Sequence, residues 1–189
     1  MPELPKRKHT RLKNYDYSKD GYYYITICTW HNLLNLSTIV GRGLAPAEIK
    51  LTKIGKIVEE QLNNLPNSYD YVKIDKYVIM LTHIHVSVIS SGQTAGASPR
   101  PTLMDIEQTA EKYIGQSAGA SPRPTLMDVV CTFKSISTRL CNQSDNTKGR
   151  KIWQDSFYDE IIRNEEAYQT ILRYIGENPT KRIYSEVIL

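Results

Sequence analysis

Residues 76–89 form an apolar, β-branched run interrupted by two histidines, His83 and His85. This pattern constrains the fold more tightly than any other in the chain. In a strand, residues i and i+2 share a face. His83, His85 and Ser87 therefore fall on one face, and Ile84, Val86 and Val88 on the other. The second set reads as a core face, the first as a polar site cut into a sheet. Two imidazoles about 7 Å apart along a strand can close on a divalent ion once a third ligand arrives from elsewhere. The same spacing also suits two solvated, half-exposed side chains, so the rest of the chain has to decide.

The surrounding pattern alternates strands and helices. Residues 22–30 are aromatic and β-branched and follow the turn signal Asp20-Gly21, which predicts a strand. Residues 31–50 read as irregular. Ile54, Ile57, Val58, Leu62 and Leu65 make one helical face over 51–65, with Thr52 placed to cap it and Pro66 beyond it. Residues 71–81 and 83–90 read as two strands with a tight turn near Leu81-Thr82. Residues 91–100 are a Gly/Ser/Pro loop. A second helix spans 125–142, where Thr125 and Asp128 resemble a capping box. Residues 153–162 read as a strand with a bulge near Asp155-Ser156. A last helix starts at Asn164 and is expected to stop near Asn178, before Pro179. This order suits an α+β fold: a ferredoxin-like antiparallel sheet with helices packed on one face.

The 189 residues are read as a single domain, with a basic arm over 1–20 and a loop-rich insertion over 91–124. Residues 1–19 hold Lys6, Arg7, Lys8, Arg11, Lys13 and Lys19 against Glu3 and Asp16, which accounts for the whole net charge of +4. A basic arm on a neutral body suits phosphate contact. Thirteen tyrosines against two phenylalanines supply stacking faces with hydroxyls. No apolar run reaches membrane-spanning length. The three cysteines lack metal-type spacing and read as reduced thiols, so a cytoplasmic location is expected, at the nucleoid when DNA is bound.

Residues 95–105 recur letter for letter at 118–128. Residues 40–47 look unrelated, yet the genetic code allows them to be the complementary strand of the DNA encoding 95–102, shifted by one base. We infer that a short GC-rich repeat entered this reading frame once inverted and at least once direct. As peptides these are Gly/Pro-rich segments with no core-forming pattern, tolerable at a surface.

On the last helix, Tyr174 and Asn178 are i and i+4 and share a face. A phenol beside a metal can lose its proton and attack phosphorus, and an Asn one turn later can supply an oxygen ligand. Tyr158, Tyr168 and Tyr184 are rivals for the nucleophile. The ordered set Arg11-Leu-Lys-Asn-Tyr-Asp-Tyr-Ser18, Gly21-Tyr-Tyr-Tyr-Ile-Thr-Ile-Cys28, Leu51-Thr-Lys-Ile-Gly-Lys-Ile57, Tyr77-Val-Ile-Met80, His83-Ile-His85, Phe133-Lys-Ser135, Trp153-Gln154, Ile161-Ile-Arg-Asn164 and Tyr174-Ile-Gly-Glu-Asn-Pro179 resembles the REP-associated tyrosine transposases, single-tyrosine HUH enzymes related to small insertion-sequence transposases. The resemblance implies a single-stranded DNA transposase and endonuclease that cleaves and rejoins DNA at hairpin-forming, REP-like palindromic repeats through a 5′-phosphotyrosine. It implies Tyr174 as nucleophile, His83, His85 and Asn178 as ligands of Mg²⁺ or Mn²⁺, and a monomer or homodimer. Lys6, Arg7, Lys8, Arg11, Lys13, Lys134 and Arg163 would contact DNA. The chain departs from the family at Met80-Leu-Thr82, where Met-Pro-Asn is usual. Three other readings stand beside it: a non-catalytic nucleic-acid-binding module, a metal nuclease that uses water, and an inactivated transposase copy.

Overall fold

A computed structural model gives the architecture. Residues 15–32, 36–40, 48–92 and 123–187 are described, those from 180 onward as backbone alone. Among the described residues are six strands: β1 (Gly21–Cys28), β2 (Ser37–Val40), β3 (Glu48–Leu51), β4 (Val72–Ile79), β5 (His83–Ser90) and β6 (Tyr158–Ile162). The helices are α1 (Lys53–Asn63), the single turn α2 (Leu65–Ser68), α3 (Leu126–Ser144) and α4 (Glu165–Val187). The main sheet has the order β4-β5-β1-β6, with every neighbouring pair antiparallel. Two split βαβ units generate it: β1–α1–β4 with β5 slotted between its strands, and β5–α3–β6 with β1 slotted between. That is the ferredoxin-like topology.

Alternation along the central strands gives the sheet two different faces. Tyr23, Ile25 and Ile27 of β1 and Ile84, Val86 and Val88 of β5 form one, buried against Ile54, Val58 and Leu62 of α1 and Val129, Val130 and Phe133 of α3. Trp153 joins this core, and its indole N–H donates to Ser137 Oγ at 2.9 Å while that hydroxyl donates to the Phe133 carbonyl at 2.6 Å. The helices expected on one face are thus α1 and α3. The last helix goes to the opposite face, where Tyr168, Ile171 and Ile175 cover a smaller apolar patch of Tyr22, Tyr24, Ile89 and Ile162. Its apolar residues, spaced three and four apart, match a patch that the same strand alternation creates.

Element boundaries differ from the sequence reading, and the helix expected over 51–65 is α1 followed by the separate turn α2, which contains Pro66. Residues 31–50 contain a short hairpin, β2 paired with β3, whose four-residue strands are too brief to show a pattern; residues 41–47, which join them, lie outside the described residues. The strand expected over 153–162 is broken. Trp153 makes one bridge to Thr29 and the ladder resumes at Tyr158, because the Gln154 and Asp155 carbonyls turn to accept from Lys134 Nζ at 2.6 and 2.8 Å. Finally, α4 runs through Pro179 to Val187, since the bias against helix before proline is a preference and not a bar. The basic arm and residues 93–122 lie outside the described residues.

Where 93–122 rejoins the fold, the second repeat copy is structural. Arg123 pairs with Asp20 at 2.7 Å and stacks over the Tyr71 ring at 4.0 Å; Thr125 and Asp128 form the capping box of α3, and Leu126 is buried. Asp20 also accepts the Gly92 N–H at 2.9 Å, so one carboxylate holds both ends of the segment. Deletion of residues 95–117 retains these anchors and leaves seven residues between Gly92 and Arg123. We expect the deletion variant to fold with an unchanged or raised Tm, since the shorter loop recovers about 1 kcal/mol of closure entropy; calorimetry showing a lower Tm would refute this.

Gly55 shows how closely the first turn of α1 abuts the chain. The Leu36 carbonyl accepts from Thr52 N–H at 3.0 Å and Thr52 Oγ1 at 3.1 Å, and a Cβ on Gly55 would lie 1.9 Å from that oxygen. Alanine gains about 1 kcal/mol in helix propensity but forces backbone apart. Gly55→Ala is expected to lower stability by roughly 1–3 kcal/mol, as overpacking does, measured by urea unfolding.

Candidate active site

The β1–β5 register sets Thr26 opposite His85 and Cys28 opposite His83. The three-residue turn before His83 is fastened to the chain leaving β1. The Thr82 carbonyl accepts from Thr29 N–H at 2.8 Å and Thr29 Oγ1 at 2.9 Å, and Met80 N–H donates to the His83 carbonyl at 2.8 Å. Both imidazoles therefore stand on a strand whose start is fixed from two sides.

His85 is only 5% exposed. Its Nδ1 lies 2.6 Å from Tyr24 Oη and 2.8 Å from Thr26 Oγ1, and its ring stacks on that of Tyr24 with centroids 5.6 Å apart. Its Nε2 is buried and has no hydrogen-bond partner among the described residues. Burial, together with the charge of His83, pushes the His85 pKa down to about 4, so the ring is neutral at physiological pH and keeps a lone pair to offer. The His83 ring lies 4.6 Å from it, centroid to centroid, and the His83 Nδ1 is 3.1 Å from Thr82 Oγ1. Burial pushes the Tyr24 phenol up to about 12, so it keeps its proton.

The helix bearing Tyr174 is seated by polar contacts from β4. A bulge between Ile74 and Lys76 disturbs the ladder at Asp75, whose carboxylate accepts from Tyr168 Oη at 2.8 Å and Ser87 Oγ at 3.5 Å. Lys76 Nζ donates to the Leu172 carbonyl at 2.8 Å, close to Gly176, where any Cβ would come within 2.9 Å of the ammonium. Tyr168 meets Tyr22 at 5.2 Å, and two turns later the Tyr174 ring lies 5.2 Å from the His85 ring and 6.2 Å from the Tyr24 ring. Tyr174 stays 43% exposed.

His83, His85 and Tyr174 are thus brought together from two elements. Asn178 follows one turn after Tyr174 and is half-buried. Among the rivals, Tyr168 is buried and engaged with Asp75, Tyr158 is 52% exposed on β6 opposite Thr26, and the Tyr184 side chain lies outside those described. Lys134 is occupied with the carbonyls that break the strand before β6. Arg163 is exposed between β6 and α4. Lys6, Arg7, Lys8, Arg11 and Lys13 lie outside the described residues. Sequence reasoning missed Tyr24, Thr26 and Asp75. Tyr24 and Thr26 alternate as the histidines do, but only strand pairing puts them against His85.

The donor set fits a divalent ion in part. Two adjacent imidazoles, one with a bare buried nitrogen, suit a cation, while no group of three or more His, Cys, Asp or Glu exists among the described residues. Remaining positions would fall to oxygen: the Asn178 amide, water or a substrate phosphate.

The fold and site define an α+β protein in which two histidines of β5 and a half-exposed tyrosine of α4 come together. No family model matches the chain. It belongs to the same family as an uncharacterised protein of Haemophilus influenzae, with 30% identity over 173 residues that cover 92% of this chain and 88% of that protein. Among solved structures it is similar to a REP-associated tyrosine transposase bound to a REP hairpin, with a TM-score of 0.49, 14% identity, and coverage of 95% of this chain and 74% of that one. It is also similar to a Deinococcus radiodurans protein provisionally named a transposase, with a TM-score of 0.44, 13% identity, and coverage of 88% and 95% respectively. No helix among the described residues is long and apolar enough to cross a membrane.

The depressed His85 pKa has a consequence for stability. The folded chain binds this proton less readily than the unfolded one, so the His85 contribution is full above about 6.5 and is lost as pH falls from there through about 4. In metal-free protein the loss should amount to roughly 2–3 kcal/mol. His85→Gln should flatten the decline in Tm over that interval, as followed by calorimetry; an equally steep decline would contradict the assignment.

Proposed function

We propose that the chain is a metal-dependent, single-stranded DNA transposase that cleaves and rejoins DNA at hairpin-forming repeats. The observation that carries this reading is a half-exposed phenol, Tyr174, set edge-on to a buried neutral imidazole whose Nε2 has no hydrogen-bond partner among the described residues. The motif resemblance supports it independently, because His83, His85 and Tyr174 match the family's ligand and nucleophile positions.

His83 and His85 would hold the divalent ion, Mg²⁺ or Mn²⁺, with Asn178 the candidate for an oxygen ligand. When bound, such an ion neutralises charge on the phosphate oxygens. Tyr174 supplies the nucleophile: its Oη forms a bond to the scissile phosphorus, its proton passes to solvent, and the bond from phosphorus to the 3′ oxygen breaks. The products are a 5′-phosphotyrosine and a free 3′-OH, which takes up a proton. Rejoining reverses the exchange, with a 3′-OH attacking the phosphotyrosine and Tyr174 recovering its proton. Because α4 crosses the site with Tyr174 half-exposed, a strand can reach the phenol without the sheet opening. The arm residues Lys6, Arg7, Lys8, Arg11 and Lys13, with Arg163 between β6 and α4, would track the DNA backbone.

The partner we propose is a single strand folded as a hairpin by REP-like palindromic repeats. The gene supplies a probe, since the DNA encoding residues 95–102 and the inverted element over 40–47 can pair with each other. An end-labelled oligonucleotide with that hairpin, incubated with the protein and Mn²⁺, is expected to give a covalent adduct that survives denaturing electrophoresis. Tyr174→Phe should lower adduct formation by at least about a thousandfold, as loss of a nucleophile does. Cleavage without an adduct would instead indicate a water nuclease. Adduct retained by Tyr174→Phe and lost by Tyr158→Phe would move the nucleophile to β6.

A further inference from the structure

Two hydroxyls converge on one nitrogen of His85, while its other nitrogen is buried with no partner among the described residues. A neutral imidazole carries one N–H and one lone pair. If Nδ1 accepted a hydroxyl proton, the N–H would sit on Nε2, a buried donor with nothing to donate to. Orphaned buried N–H groups are rarer than under-satisfied acceptors. If the proton sits on Nδ1, it is shared between two waiting oxygens, and the bare position becomes a lone pair. The second arrangement satisfies the donor and leaves an acceptor, which a cation can use.

We propose that Tyr24 and Thr26 are positioning residues that accept the Nδ1–H of His85 and thereby leave its Nε2 lone pair bare as the metal-binding atom. The proposal rests on the reading of His83 and His85 as a metal pair. Thr26 acts from directly across the β1–β5 ladder, and Tyr24 from the diagonal position. Tyr24 does more than bond. Its ring lies nearly parallel to the imidazole, at 23°, which fixes the plane of His85, and it packs edge-on, at 89°, against Tyr174. One side chain thus orients the ligand and abuts the nucleophile. Outer partners of this kind set the tautomer and plane of metal-bound histidines, and their removal typically weakens metal affinity about 10- to 100-fold.

The test has two readouts, neither of which is strand cleavage. The first is the ¹⁵N–¹H multiple-bond spectrum of the imidazoles in metal-free protein, with His85 assigned by comparison with His85→Gln. The expected pattern is a protonated Nδ1 and a bare Nε2; a protonated Nε2 overturns the proposal. The second is Mn²⁺ affinity, measured by electron paramagnetic resonance of the free ion. Tyr24→Phe and Thr26→Val should each weaken binding about 10- to 100-fold, whereas Thr26→Ser, which keeps the hydroxyl, should stay close to wild type. The Thr26 pair keeps the proposal open to refutation if Tyr24→Phe does not fold. Wild-type affinity in folded Tyr24→Phe and Thr26→Val, beside lost affinity in His85→Gln, overturns the positioning role alone. Wild-type affinity in both His83→Ala and His85→Gln overturns the metal pair itself, and this proposal with it.

Discussion

The site depends on the register between β1 and β5. Side chains in a strand alternate with period two, so a slip of one residue exchanges the two faces completely. In the observed register Ile84, Val86 and Val88 meet Tyr23, Ile25 and Ile27 in the core beneath α1 and α3, while His83, His85 and Ser87 meet Cys28, Thr26 and Tyr24 on the other side. A slip would drive two imidazoles into that core and put three aliphatic chains under α4. Burial of the aliphatic set, at about 25 cal/mol per Å², therefore also enforces the geometry of the polar set. The strand pair needs no separate device to aim the histidines.

Seating α4 is the second requirement, and it is met differently. The patch beneath this helix is small, and two of its members are tyrosines. Polar contacts supply what apolar area does not: the Asp75 carboxylate on Tyr168, and the Lys76 ammonium on the Leu172 carbonyl. Both come from the bulged stretch of β4, which turns two successive charged residues toward one helix. A helix held at two points along its length has a fixed axial position, and Tyr174 falls beside His85 as a result.

Much of this was legible in the chain itself. The alternation across 83–88 separates core face from site face, and the spacings of α1 and α3, with their caps at Thr52 and Thr125, give the helices of the main core. The topology follows from element order. Detail is hidden in the sequence wherever a distant partner overrules a local pattern. Lys134, expected to contact DNA, bonds two carbonyls, which splits the expected strand before β6. Pro179 looked like a stop and lies within the helix. Asp75 looked like an ordinary strand residue, and its role arises only because a bulge turns it toward Tyr168. Tyr24 and Thr26 carry no spacing signal to His85, which lies 61 and 59 residues away.

The clamp at Asp20 stands at the far end of β5 from His83, seven residues along the strand, or roughly 23 Å. The chain consequently has a chemical pole and a permissive pole. The second copy of the repeat is not merely tolerated there, because its residues 123–128 furnish the arginine, the cap and a core leucine that launch α3. A repeated peptide has become masonry at the pole opposite the histidines.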